Sequence, residues 1–110
     1  MTFDEYQDKA HATSFNTEIG GDTLLYPILG LCGEAGELAN KVKKIYRDRG
    51  GVISVLDQNA LIDEASDLLW YVSEIATQLD TTLESIAEHN ITKLADRAQR
   101  GVISGNGDNR

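Results

Sequence analysis

Cysteine occurs once in this chain, at Cys32, and proline once, at Pro27. A lone cysteine excludes an internal disulfide framework and a cysteine-based zinc cluster, and it suits a reducing compartment, so a cytoplasmic location is expected. A lone proline leaves room for long uninterrupted helices. Basic residues are scarce as well: ten Lys and Arg stand against eighteen Asp and Glu, giving a formal net charge of −8. Such a surface repels nucleic-acid polymers and anionic membranes, so neither is expected as a partner. A polyphosphate ligand stays open, because a bound metal reverses the local sign of charge. No apolar run approaches bilayer-spanning length. The start, Met1-Thr2-Phe3-Asp4-Glu5, lacks both the basic region and the apolar stretch of a secretion signal. At 110 residues one domain with one core is expected.

What is present is apolar periodicity at helical spacing. Thr2-x-x-Glu5 has the form of a capping box, and Phe3, Tyr6, Gln7 and Ala10 follow it, predicting a first helix over about 3–14. Residues 16–23, with Gly20-Gly21 among short polar side chains, read as a loop. A second helix carries Leu24, Ile28, Leu31, Ala35, Leu38, Val42 and Ile45, tolerates Pro27 in its first turn and ends near 46–49. After a break over 49–54, Asp57 is the expected N-cap of a third helix bearing Leu61, Ala65, Leu68, Val72, Ile75 and Leu79. Thr81-x-x-Glu84 offers a second capping box, opening a fourth helix over 82–100 with Leu83, Ile86, Ala87, Ile91 and Leu94 inward and Gly101 as its C-cap. Only 52–55 has any strand character, so the expected class is all-α, a small four-helix bundle. Residues 1–101 form the expected domain, and the aperiodic 102–110 a flexible tail.

Two carboxylate pairs stand out. Glu34 and Glu37 on the second segment, and Glu64 and Asp67 on the third, are each spaced i, i+3, which puts both members of a pair on one helix face. Four oxygen-bearing side chains from two packed helices suit a hard divalent cation such as Mg²⁺, with Mn²⁺ as a substitute. The bland alternative is a solvated acidic face on an acidic protein. Against it, ideal helical geometry lays Gly30, Glu34, Glu37, Lys41 and Lys44 along a strip bordering the apolar stripe, and Glu64, Asp67, Tyr71 and Glu74 along another. Strips beside the core can converge in a cleft, which a face opposite the core cannot.

The fourth segment adds Asn90, Lys93 and Arg97 on the margin of its own stripe, two cations and an amide suited to a phosphate chain. Lys93 and Arg97 also have an ordinary reading, as complements to a helix C-terminal dipole or to surface carboxylates. Tyr71 and Trp70 read as packing residues ahead of the alternative, a base-stacking platform. Gly30, Gly33 and Gly36 each cost helix stability, about 1 kcal/mol relative to Ala, so close backbone approach is expected there. Arg110, at the end of a glycine-rich tail, is a candidate to fold over a bound phosphate chain.

The run Gly30-Leu31-Cys32-Gly33-Glu34-Ala35-Gly36-Glu37-Leu38, followed by Asp63-Glu64-Ala65-Ser66-Asp67-Leu68-Leu69-Trp70-Tyr71, resembles the E-E-x-x-E, spacer, E-x-x-D signature of MazG-like nucleoside triphosphate pyrophosphohydrolases. The likeness runs on into Asn90-Ile91-x-Lys93-Leu94-x-x-Arg97 and spans about residues 3–100. Gly33 departs from it, standing where many members have the first Glu.

The resemblance implies an all-α fold and Mg²⁺ held by Glu34, Glu37, Glu64 and Asp67, with Glu37 or Glu64 serving the water. Asn90 and Lys93 would contact phosphate or sugar. The helical strips, apart from the resemblance, add Lys41, Lys44, Tyr71 and Arg97 as candidate substrate-binding residues. The resemblance further implies a homodimer or homotetramer, hydrolysis of an NTP to NMP and pyrophosphate for nucleotide-pool control, and purine deoxynucleotides as the expected substrates. A ferritin-like di-iron bundle is disfavoured, because neither His11 nor His89 follows a Glu by three residues. A non-enzymatic acidic helical module that binds a protein partner is the alternative; it predicts no metal dependence and no turnover.

Overall fold

The apolar periodicity becomes four helices: α1 (Phe3–His11), α2 (Leu25–Arg49), α3 (Val55–Gln78) and α4 (Leu83–Arg100). The structure is a computed structural model that describes residues 1–110. No strand forms, and Val55 opens α3 instead; an isolated bridge, Ile19 with Asp22, lies in the loop before α2. The all-α expectation is met, with several ends moved.

Local hydrogen bonding decides each end. The capping box at Thr2 and Glu5 forms as expected. α1 stops at His11, short of Ser14, because the Thr13 hydroxyl turns back to the Ala10 carbonyl (2.7 Å) and accepts from the Trp70 indole N–H (2.9 Å). The N-cap of α3 is Ser54 and not Asp57. Its hydroxyl accepts from the Asp57 amide while the Asp57 carboxylate accepts from the Ser54 amide, a reciprocal box with Asp57 at the third helical position. The box expected at Thr81 and Glu84 is shifted too. Thr81 still donates its amide to the Ala76 carbonyl, completing the end of α3, so Thr82 caps α4 through the Ser85 amide. Leu24 has no capping side chain, and Asp22 Oδ1 takes the amides of Leu24 (2.6 Å) and Leu25 (3.2 Å) instead. Gly50 and Gly101 close α2 and α4 in the left-handed conformation, at φ 62° and 72°.

A short connection between two long helices makes α2 and α3 an antiparallel hairpin, and α1 and α4 pack on α3. α4 makes no contact with α2. Buried Gln7 stitches α1 to the α3–α4 turn: its amide nitrogen donates to Thr77 Oγ1 and the Thr81 carbonyl (both 3.0 Å), and its oxygen accepts from the Leu83 amide (2.8 Å). His11 Nδ1 meets the buried Glu74 carboxylate at 3.0 Å, so Glu74 anchors α1 and does not extend the acidic strip into a cleft.

One chain does not close its core. Ala10, Ile45, Ala76 and Leu83 are buried, whereas Leu79 and Ile91, both expected inward, are 54% and 66% exposed. The accessible surface is 7619 Å², against roughly 6,000 Å² for a compact monomer of this mass. The radius of gyration, 16.8 Å, likewise exceeds the roughly 13 Å of a compact chain this long. Of the three helical glycines, only Gly30 meets a close neighbour: a Cβ there would lie 2.2 Å from Tyr71 Cε1, while Gly33 and Gly36 have nothing within 4 Å.

Candidate functional site

The α2–α3 hairpin turns the two carboxylate pairs toward each other. Oxygens of Glu34, Glu64 and Asp67 all lie within 4.8 Å of one another. Glu37 stands outside this trio, exposed on the next turn of α2, although its charge reaches Glu34. Glu64 is the most enclosed, its side chain 12% exposed, and it accepts from Lys41 Nζ at 2.8 Å. That hydrogen bond is the main reason the Glu64 carboxyl titrates below its usual range. Glu34 is pushed the other way, first by loss of solvent, then by a side-chain hydrogen bond with Glu64 and the charges of Asp67, Glu64 and Glu37.

Three carboxylates this close repel one another when ionised. A divalent cation in the same place would offset that repulsion, and hard oxygen donors from two helices are the set that Mg²⁺ prefers. The residues present therefore fit such an ion.

Beside the trio an opening of about 340 Å³ is lined by Glu34, Asp67, Trp70 and Tyr71. Tyr71 reaches it because Gly30 has no side chain. The Tyr26 ring lies beside that of Tyr71, with centroids 6.4 Å apart, and Trp70 meets Tyr71 edge-on at 5.0 Å. Burial, the Tyr26 neighbour and the Glu34 charge raise the Tyr71 pKa. Tyr6 of α1 is raised too, by burial and then by Asp67, so α1 brings a phenol to the edge of the site. Neither Tyr6 nor Tyr26 is a site candidate by sequence, whereas Trp70, like Tyr71, is a packing residue or a base-stacking platform. Nothing in their spacing marks Tyr6 or Tyr26, because the contacts are tertiary.

The expected cations divide into two groups. Lys41 and Lys44 border a second cavity, of about 310 Å³, which continues along the hairpin toward its turn and ends at the Arg49–Asp57 ion pair. Lys93 and Arg97, on the distal half of α4, are not joined to the carboxylates within one chain; both instead hold Asp108 of the tail. Asn90 is exposed on the same helix. Arg110 donates to the carbonyls of Val102, Ile103 and Gly107, fastening the tail to itself.

An all-α domain that sets carboxylates together across a helical hairpin is the class this fold and site define. Within that class the chain belongs to the MazG nucleotide pyrophosphohydrolase domain family, whose description matches residues 21–102, a span holding all four candidate carboxylates and α2 to α4. The chain is 46% identical over 114 aligned residues to the Gene 37 protein of Mycobacterium phage L5, the alignment covering the whole of both. No solved structure matches it significantly.

Proposed function

We infer that the protein is a divalent-metal-dependent nucleoside triphosphate pyrophosphohydrolase, converting an NTP and water to NMP and pyrophosphate. The observation that carries this is the convergence of Glu34, Glu64 and Asp67 within 4.8 Å on a chain of the MazG family. Glu37, one turn from Glu34, completes a four-carboxylate ligand set. When bound, Mg²⁺, or Mn²⁺ in its place, makes the attacking water more acidic and offsets the negative charge of the triphosphate. The water oxygen then bonds to the α-phosphorus as the bond to the α–β bridging oxygen breaks and pyrophosphate leaves. Of the two carboxylates considered for the water, Glu37 is the better base by position, since Glu64 is already held by Lys41. Lys41 fixes the Glu64 carboxylate in orientation, and Lys44 extends positive charge along the same groove for the departing phosphates.

Tyr71 and Trp70 form a shelf beside the carboxylates, suited to the sugar or base. Purine deoxynucleotides are the proposed substrates, in a cytoplasmic role of nucleotide-pool control. No helix is long and apolar enough to cross a membrane. A homodimer or homotetramer is the proposed assembly, supported by the apolar surface that one chain leaves open. Asn90, Lys93 and Arg97, on a helix that does not touch α2, would in such an assembly serve bound phosphate.

The test is a panel of NTPs and dNTPs with Mg²⁺, separating NMP plus pyrophosphate from NDP plus phosphate, with ¹⁸O-water to locate the attack. Label in the NMP is expected. Label in pyrophosphate would move the attack off the α-phosphorus, and no turnover of any nucleotide would favour an acidic interaction module. Glu37→Gln and Asp67→Asn are each expected to abolish turnover with the helical circular dichroism intact. Near-wild-type rates in both at saturating Mg²⁺ would count against the site.

A further inference from the structure

Arg97 is 5% exposed, and a guanidinium taken so far out of water needs an anion. The chain supplies one from its own tail. Asp108 Oδ1 lies 3.2 Å from Arg97 Nη2 and 3.2 Å from Lys93 Nζ, so two cations one helical turn apart converge on a single oxygen. Arg97 Nη2 also donates to the Asp108 backbone carbonyl, at 2.9 Å. The Asp108 side chain itself is 83% exposed, so the carboxylate is seated from the solvent side and can leave that way. Lys93 first and Arg97 second hold its carboxyl below the usual range, as expected of an anion between two cations.

The strap that presents Asp108 is lightly held. Arg110 bonds the carbonyls of Val102 and Ile103, Arg100 bonds the Arg110 carbonyl oxygen, and Gly105 is bare where a Cβ would lie 2.6 Å from Arg110 Cδ. These contacts keep the tail folded on α4 without burying an apolar side chain deeply.

We propose that Lys93 and Arg97 form an oxyanion site for a phosphate group which Asp108 occupies in the free protein, so that the tail is an internal competitor displaced when a phosphate-bearing ligand binds. The inference rests on the phosphate role given to Lys93 and Arg97 above. A phosphate group carries more charge than a carboxylate and offers three oxygens to the same donors, so it replaces Asp108 on favourable terms. An incoming phosphate also keeps Arg97 in contact with an anion when the Asp108 carboxylate leaves.

The test uses inorganic pyrophosphate in EDTA, so that no metal can recruit the anion to the carboxylate cluster. Calorimetry compares the full-length protein with Asp108→Ala, Lys93→Ala and the double variant, alongside hydrogen exchange over 102–110. Asp108→Ala is expected to tighten binding about five-fold, the order of an exposed ion-pair network, and Lys93→Ala to weaken it. The double variant should lose the gain, and pyrophosphate should speed exchange in the wild-type tail. If Lys93→Ala weakens binding while Asp108→Ala leaves it unchanged or weaker, the competitor is overturned and the phosphate site stands. If neither substitution changes the affinity, or pyrophosphate does not bind, both readings fall.

Discussion

Glu34 and Glu64 sit in one cluster yet are pushed in opposite directions, and the cause decides what substitution does. Glu34 titrates above its ordinary value of 4.5, so folding favours its protonated form. Its contribution to stability is therefore greatest below that value and is lost as pH rises through the raised one. Without metal, Glu34→Gln should melt higher than wild type at pH 7, with the gap closing below about pH 4. Added Mg²⁺ is expected to raise the melting temperature of the wild type and not of this variant. A lower melting temperature at pH 7 would show that Glu34 is not under repulsion. Glu64→Gln should gain nothing comparable, because it removes the partner of Lys41.

Gly30 offers a second test at this scale. In Gly30→Ala the new methyl would collide with the Tyr71 ring, which has to shift. Overpacking of about 1–3 kcal/mol should be partly offset by the roughly 1 kcal/mol that Ala gains over Gly in a helix. The fold should survive while kcat/KM falls about tenfold or more through a displaced shelf. Steady-state kinetics and the near-ultraviolet dichroism of Trp70 and Tyr71 would report it; if both stay unchanged, Gly30 does not set Tyr71.

Among the elements, α1 is short and depends on side-chain hydrogen bonds more than on apolar burial. Gln7→Leu would strand the Leu83 amide and the Thr81 carbonyl, each a partner in the turn that starts α4. A loss of about 1–3 kcal/mol is expected in urea unfolding, larger than that of Asp4→Ala on the exposed face. Equal effects would reduce the stitch to a surface contact.

The start of α3 is a separate case. Ser54→Ala should cost about 1 kcal/mol as a lost N-cap. Asp57, held below its ordinary value by the Ser54 amide first, then by the Ser54 hydroxyl and Arg49, has the opposite sign from Glu34. The stability it contributes is present above the ordinary carboxylate pKa and is lost as pH falls through the depressed value. Asp57→Asn should therefore flatten the acid limb of the wild-type stability curve. An unchanged acid limb would remove Asp57 from the linkage.

At the scale of the whole molecule, one chain leaves more total surface open than a compact fold of its mass, and large apolar side chains are part of that surface. The excess over a compact monomer is roughly 1,600 Å², about twice the 800 Å² per partner of a standard interface. Ile62, Leu69, Ile91 and Leu94 are all part of it. Light scattering at micromolar concentration is expected to give a dimer or tetramer, and the melting temperature should rise with protein concentration. A monodisperse monomer with a concentration-independent melt would refute assembly and leave the exposed faces for another partner.

Helix number and class follow from the sequence by itself, because the apolar spacing and the loop glycines act locally and each helix needs only its own neighbours along the chain. Pairing Glu34 with Glu64 and Asp67 was legible for the same reason: i, i+3 spacing fixes a face, and a short turn fixes which helix it meets. The caps were less legible. Ser54 and Asp57, or Thr81 and Thr82, are chemically interchangeable as hydrogen-bond acceptors, and the winner depends on where the preceding helix finishes.

Only the tertiary structure decided that Glu74 serves His11, that Gln7 is a buried stitch, that Tyr6 approaches Asp67 and that Gly30 alone of three glycines is filled by a ring. It also decided that Asp108 lies between Lys93 and Arg97. Such contacts join residues far apart in the chain, where spacing carries no information and only packing selects the partner.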